Sequence, residues 1–262
     1  VTVPGRPPQF FYATAPLPCP YVAGRTERKV VTELTGADAD ALHNRLSRGG
    51  FRRSHNIAYA PVCAGCRSCI PIRIVSDRFR QSRTHRRIIA ANAGLRAYEM
   101  PPRATAEQFK LFQRYQQARH GEGDMAGMSF YDYRAMVEDT PIETWLVEFR
   151  DGADELVGAC LTDRLADGLS AVYSFFAPDL TRQSLGTRSI LWLVERTREL
   201  GLPYVYLGYW VPESPKMAYK ARFRPAEILL GGTWTELTDS LAAADDPPSW
   251  PLHLAPVQQC GP

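Results

Sequence analysis

The sequence has no apolar run approaching the roughly 18–20 residues that a membrane helix requires, so none of these residues is expected to span a bilayer. It shows no basic-then-apolar leader, and the numbering opens at Val1; the expectation is a soluble, cytoplasmic protein whose cysteines stay reduced. No internal repeat is visible. The five His are scattered, and no Ser–His–Asp or Cys–His arrangement is found. Acid is scarce where base is dense: Phe51 to Arg87 carries nine Arg and one acid, Asp77. The net charge of +3 therefore hides an asymmetry, with 16 Lys+Arg against 6 Asp+Glu in residues 1–100 and 15 against 22 in the remainder. A planar guanidinium matches phosphate better than a Lys point charge, so this field favours a nucleic acid or another phosphate-bearing partner over a merely solvated face.

What is present makes a globular protein. At 45% hydrophobic and 11% aromatic, the 262 residues can bury a core, and the length is comfortable for two domains. Pro18, Pro20, Pro61 and Pro71 cut the first hundred residues into short strands and loops, with one helix expected over Asp38–Arg48, its Ala41, Leu42 and Leu46 inward and Gly49-Gly50 ending it. Met100-Pro101-Pro102 reads as a seam. The division is 1–100, 101–239, and a proline-rich, poorly ordered tail over 240–262.

After the seam, Thr105 caps a helix carrying Phe109, Phe112 and Tyr115. Strands are expected at Ile142–Arg150, Leu156–Leu165 and Leu169–Ala177, the last two joined by a hairpin at Ala166-Asp167-Gly168. Ser184 is read as the cap of a helix over Leu185–Leu200, stopped by Gly201; strand Tyr204–Trp210, helix Pro215–Phe223 and strand Ala226–Leu230 follow. The order βββαβαβ predicts a mixed α/β sheet with flanking helices, preceded by the cysteine-containing segment.

Cys63-Ala-Gly-Cys66-Arg-Ser-Cys69 is a C-x2-C-x2-C run, and Cys19 upstream makes a fourth sulfur. Such spacing sets thiolates on one side of a turn, as Zn²⁺ and iron–sulfur clusters use. The second C-x2-C of a zinc ribbon is absent, so a metal or cluster site, a redox-sensitive thiol group and packed cysteines all stay open. Cys160 falls in a predicted strand as a core residue, and Cys260 lies in the tail. Gln183-Ser184-Leu185-Gly186-Thr187-Arg188 is near the phosphate loop of N-acetyltransferases, although Arg188 stands where that loop wants a small residue. A coenzyme-A-dependent N-acetyltransferase and a non-catalytic RNA- or zinc-binding regulator are the rival readings.

Taken together, Cys19-Pro20-Tyr21, Gly50-Phe51-Arg52-Arg53-Ser54, Tyr59-Ala60-Pro61-Val62-Cys63, Pro71-Ile72-Arg73 and Ser82 to Arg87 resemble the amino-terminal region of the aminoacyl-tRNA–protein transferases. Tyr173-Ser174-Phe175-Phe176, Pro178-Asp179, Ser184-Leu185-Gly186, Leu207-Gly208-Tyr209-Trp210 and Ser214 to Lys220 before Phe223-Arg224-Pro225 resemble its carboxy-terminal region. The resemblance covers roughly residues 10–237 and looks closest to the bacterial branch that carries leucine; the arginyl branch shares much of the pattern. It implies an acetyltransferase-like (GNAT-like) fold, leucyl-tRNA and proteins with N-terminal Asp or Glu as partners, and a role in N-degron degradation.

The implied chemistry needs little from the protein. The donor is an activated ester, and an α-amine with pKa about 7.7–8.0 has a useful neutral fraction near pH 7. Positioning and oxyanion stabilisation then supply most of the rate, with no cofactor required for the chemistry. Asp179 and Tyr219 are the candidates for direct participation, with Glu213 the alternative acid for the incoming ammonium. Arg86, Arg87, Arg188, Lys216, Lys220 and Arg224 are the candidates to hold tRNA. Tyr209 and Trp210 either line the aminoacyl pocket or pack in the core. An acidic acceptor residue calls for a bidentate Arg, and Arg52, Arg53 and Arg73 are the choices. Cys19, Cys63, Cys66 and Cys69 form the candidate metal set.

Overall fold

Proline punctuation keeps the first strands short. A computed structural model describes residues 8–121 and 123–242. β1 is Tyr12–Ala13, β2 Leu17–Pro18, β3 Thr26–Glu27 and β4 Lys29–Glu33. After α1 (Ala39–Arg48) come β5 (Arg52–Ser54) and β6 (Ile57–Pro61), and β1-β4-β6-β5 make one antiparallel sheet while β2 and β3 pair apart. The buried face of α1 is Ala39, His43 and Ser47, with Leu42 and Leu46 half-buried and Ala41 exposed. That face is turned from the expected one because His43 meets a buried acid, Asp163, 3.3 Å away.

β7 (Ile70–Val75) is buried along its whole length. α2 (Arg83–Ala91) follows, a helix the arginines conceal in the sequence; Ser82 and His85 cap it reciprocally. β8 is Arg96–Met100. α3 (Ala106–His120) begins at the expected Thr105 cap, completed by Gln108, and α4 is Phe130–Glu138. β9 (Thr144–Arg150), β10 (Leu156–Leu165) and β11 (Gly168–Phe176) fall where alternation and turn residues put them, and the β10–β11 hairpin closes at Leu165 opposite Gly168.

α5 (Leu185–Glu199) ends before Gly201 (φ +67°), as expected. Ser184 does not cap it: its backbone is left-handed (φ 51°, ψ 48°) and its side chain accepts no cap hydrogen bond. β12 is Tyr204–Trp210. Instead of an α-helix over Pro215–Phe223 there is a single 3-10 turn, Ala218–Arg222. β13 (Ala226–Leu230), β14 (Thr233–Glu236) and α6 (Asp239–Ala242) finish the described chain. The expected tail thus begins inside a short helix; the rest of it, Cys260 included, lies outside the described residues.

The main sheet has the order β14-β13-β7-β12-β11-β10-β9-β8, antiparallel except for β11 against β12. It is the mixed sheet with flanking helices that the order βββαβαβ predicts, and α5 is the crossover between its parallel pair. Phe112 of α3, Tyr133 of α4 and Phe175 of β11 interlock in its core. The seam at Met100-Pro101-Pro102 divides the sequence and not the sheet. β7 and β8 precede it, yet β7 lies between β12 and β13, and β8 pairs with β9. Residues 1–100 are therefore not a separate lobe.

Candidate active site at a wedge in the sheet

β11 and β12 are hydrogen-bonded only from Gly168–Ser170 to Tyr204–Tyr206. Beyond that point β12 bulges, its register against β7 shifting between Tyr206 and Tyr209, with Gly208 at φ +73°. The two parallel strands part there, and side chains take over their carbonyls. Arg52, from β5, donates through Nη2 to Ala171 O at 3.2 Å and Val172 O at 2.8 Å. Its guanidinium lies over Gly208, where a Cβ would stand 2.3 Å from Nη1, so only glycine fits. On the other wall Lys220 Nζ donates to Tyr209 O at 2.8 Å.

Tyrosine encloses Arg52 and Lys220. Tyr21, Tyr59, Tyr209 and Tyr219 are the groups that act electrostatically on Arg52. Burial pushes the Tyr21 and Tyr219 phenols up to about 12, so both are neutral donors near pH 7. Burial, with Arg52 beside it, holds the Lys220 amine well below its ordinary value. Among the described residues no carboxylate pairs with Arg52 or Lys220. A wedge with that lining attracts an anion and offers it a planar fork.

The cavity walled by Tyr21, Tyr59 and Tyr209 has the four cysteines on its other side. Val22 N–H donates to Cys19 Sγ and Arg28 N–H to Cys63 Sγ, each at 3.4 Å. Burial opposes ionisation of Cys66, but hydrogen bonds from Ser68 and Arg25 outweigh it and lower its pKa. Burial and the three neighbouring thiols push Cys69 up to about 12. The expected set does converge. Even so, among the described residues no three Cys, His, Asp or Glu side chains stand close enough to hold a metal as they are.

Several expected site residues belong to the framework instead. Arg53 makes a bidentate pair with Asp163, both bonds 2.7 Å, inside the protein. Arg73 is bonded to Glu227 and Tyr206 and stacks 3.4 Å from the Tyr204 ring centroid. Their charges are spent on neighbours, which leaves Arg52 alone of the three to meet a carboxylate. Trp210 is in the core, at 3% exposure. Lys220, at 5%, is no surface cation for tRNA, because burial removes its amine from any phosphate outside.

Asp179 is outside the wedge, its side chain 63% exposed and paired with Arg114 at 2.6 Å. Glu213 sits by the cysteines, accepting from Ser68 at 2.9 Å. Arg188 pairs with Glu195 and Arg224 lies 3.7 Å from Asp239, so neither is a free cation. Arg86, Arg87 and Lys216 are exposed. Tyr209 and Tyr219 do reach the wedge. Gly186 is explained by the Phe176 ring, 2.9 Å from where its Cβ would be, which makes that glycine a packing contact and weakens the coenzyme A loop.

His43 and Asp163 were not singled out from the sequence, and Gly208 entered only within the Leu207–Trp210 motif, with no role given to it. A glycine interrupting Tyr204–Trp210 is the signal that marks a bulge or close approach. Nothing local marks the other two, whose ion pairs, His43 with Asp163 and Asp163 with Arg53, each span more than a hundred residues.

The family model described as arginine-tRNA-protein transferase, N terminus, matches residues 17–87, and its C-terminus counterpart matches 107–230. A protein named aspartate/glutamate leucyltransferase from Granulibacter bethesdensis is 65% identical over 233 residues, 89% of this chain and 87% of that one. One of the same name from Gluconacetobacter diazotrophicus is 64% identical over 232 residues, 88% and 89%. Among solved structures, L-PGS from Bacillus licheniformis aligns at a TM-score of 0.45 and 11% identity, over 79% of this chain and 65% of that one.

Proposed function

The chain belongs to the aminoacyl-tRNA–protein transferase family, and from that premise we propose that it moves leucine from leucyl-tRNA to the N-terminal Asp or Glu of acceptor proteins, marking them for N-degron degradation. The observation that carries the reading is Arg52: a guanidinium in the wedge with no acid of its own. An acceptor's first side-chain carboxylate is its natural counter-ion, and an amide or alkyl head would leave the charge unmatched.

With the acid held, the α-amine lies beside the wedge mouth. Its lone pair attacks the ester carbonyl carbon, the carbonyl oxygen takes up the charge, and collapse of the intermediate expels the tRNA ribose oxygen. The amine's proton leaves with that oxygen, so the products are a peptide bond and a free tRNA hydroxyl. The Tyr219 phenol is a neutral donor at the wedge and a fitting partner for the developing oxyanion. Positioning does the rest, and no strong base is required. The exposed Arg86 and Arg87 on α2 and Lys216 supply phosphate contacts for the tRNA.

The four cysteines have the donor chemistry of a zinc or iron–sulfur ligand set, and we assign Cys19, Cys63, Cys66 and Cys69 to that role. A bound metal would tie residues 17–28 to 61–69 and thereby brace Tyr21 and Tyr59; it takes no part in the transfer. Anaerobic purification followed by elemental analysis tests this, and zinc or iron near one site's worth per chain is expected.

The activity is tested by offering leucyl-tRNA, arginyl-tRNA or acetyl-CoA with a peptide headed by Asp, and weighing the product. Gain of one leucine is expected. Gain of arginine or of an acetyl group would overturn the donor assignment, and no gain would overturn the transferase.

A further inference from the structure

We infer that Lys220 is the positioning residue for the arginine that reads the acceptor, and that it acts through Tyr209. This rests on the role given to Arg52 above.

Lys220 is buried at 5% exposure, and its Nζ donates to Tyr209 O. Among the described residues no acid offsets it, so burying this amine works against stability. What it does in return is local. Tyr209 O belongs to the stretch of β12 beyond the end of its pairing with β11. Without Lys220 that carbonyl would be a buried acceptor with an empty place beside it.

Tyr209 carries the effect to Arg52 by two routes. At its far end the phenol is shared between Gly50 O, 3.1 Å, and Tyr59 O, 3.2 Å. Gly50 is two residues before Arg52, and Tyr59 is the residue opposite Arg52 in the β5–β6 register. At its near end, Tyr209 follows Gly208, the surface on which the guanidinium rests. One buried tyrosine thus holds both the root and the head of the Arg52 side chain, and Lys220 anchors that tyrosine by its carbonyl. With the anchor gone, the bulge is free to shift, and the fork loses its aim without losing its charge.

Lys220→Met and Tyr209→Phe, singly and together, test this by steady-state transfer with the full chain. A misaimed fork is expected to raise KM for an Asp-headed peptide about tenfold, lower the Asp-over-Asn preference by a similar factor, and leave KM for leucyl-tRNA near the wild-type value. Because Lys220 and the phenol hold the two ends of one tyrosine and both act on the same fork, the loss in the double variant should fall short of the sum of the single losses. Equal shifts in KM for both substrates, an unchanged Asp-over-Asn preference, or additive losses would overturn the inference. Should Lys220→Met fail to fold by circular dichroism, Lys220→Gln, which removes the amine and keeps a polar side chain, takes its place in the same KM split.

Binding separates this inference from the activity it rests on. A wild-type protein that binds the Asp-headed peptide but transfers no leucine overturns the activity, and peptide binding by the two variants then decides the role of Lys220. Equal wild-type binding of Asp- and Asn-headed peptides overturns both.

Discussion

Arg52 and Arg53, side by side on β5, and Arg73, on β7 of the other sheet, carry the same fork and end in three different settings. Arg53 and Asp163 are a buried pair, with side-chain exposures of 1% and 0%, and His43 completes the cluster. Removing one partner strands the other charge, so Arg53→Met is expected to cost about 3–5 kcal/mol, read from urea unfolding. The pair also has a pH signature. Burial raises the Asp163 pKa, but Arg53 and His43 outweigh it, and the folded-state value lies below the ordinary one. A depressed carboxyl stabilises the fold above its unfolded pKa of about 3.9, and that stability is lost as pH falls through the folded value. The gap in urea midpoint between wild type and Arg53→Met should therefore narrow as pH is lowered below about 4. Sequence brought these arginines into view through their motifs, but could not tell them apart. What separates them is an acid at the other end of a fold-spanning contact, and one-dimensional spacing carries no trace of it.

At the level of single elements, strands and helices with strong apolar periodicity were legible: β10, β11, α3 and α5 lie within a residue or two of expectation. α2 was not, because its fully buried residues are only His85 and Ile88, with Ile89 half-buried beside them, and the rest is arginine and small residues. Its capping pair, Ser82 with His85, departs from the Ser-x-x-Glu pattern that normally announces a start. The same poverty of apolar residues leaves Arg83, Arg86 and Arg87 on the surface. Arg86→Glu with Arg87→Glu should weaken tRNA binding, and the logarithmic slope of affinity against salt should flatten by roughly 0.7–0.9 for each phosphate no longer neutralised. An unchanged slope would remove this helix from the RNA face. The opposite error occurred at Pro215–Phe223. Its residues favour a helix, yet Lys220 has to turn inward to Tyr209, and a short 3-10 turn is what brings it there.

Across the whole molecule, the strand β7 settles how the chain behaves as a unit. Its residues lie before the Met100 seam, but both of its neighbours in the sheet, β12 and β13, come after it. Residues 1–100 and 101–262 expressed apart should each fail to give a cooperative unfolding transition, whereas the intact chain should give one in calorimetry, with a ratio of van't Hoff to calorimetric enthalpy near 1. Two separate transitions would contradict the shared sheet. The seam itself was plain in the sequence from its prolines. That it interrupts no packing was hidden, because β7, Ile70 to Val75, reads as an apolar run broken only by Arg73, which announces burial but not the partner.

That placement has a consequence during synthesis. Translation delivers β7 while its two flanking strands, well over a hundred residues downstream, have not yet been made. For that interval an apolar ribbon with both hydrogen-bonding edges open must wait at the ribosome, exposed to chance pairing with other nascent chains. Slow codons or a missing chaperone should therefore harm the yield of this protein more through its first hundred residues than through its last.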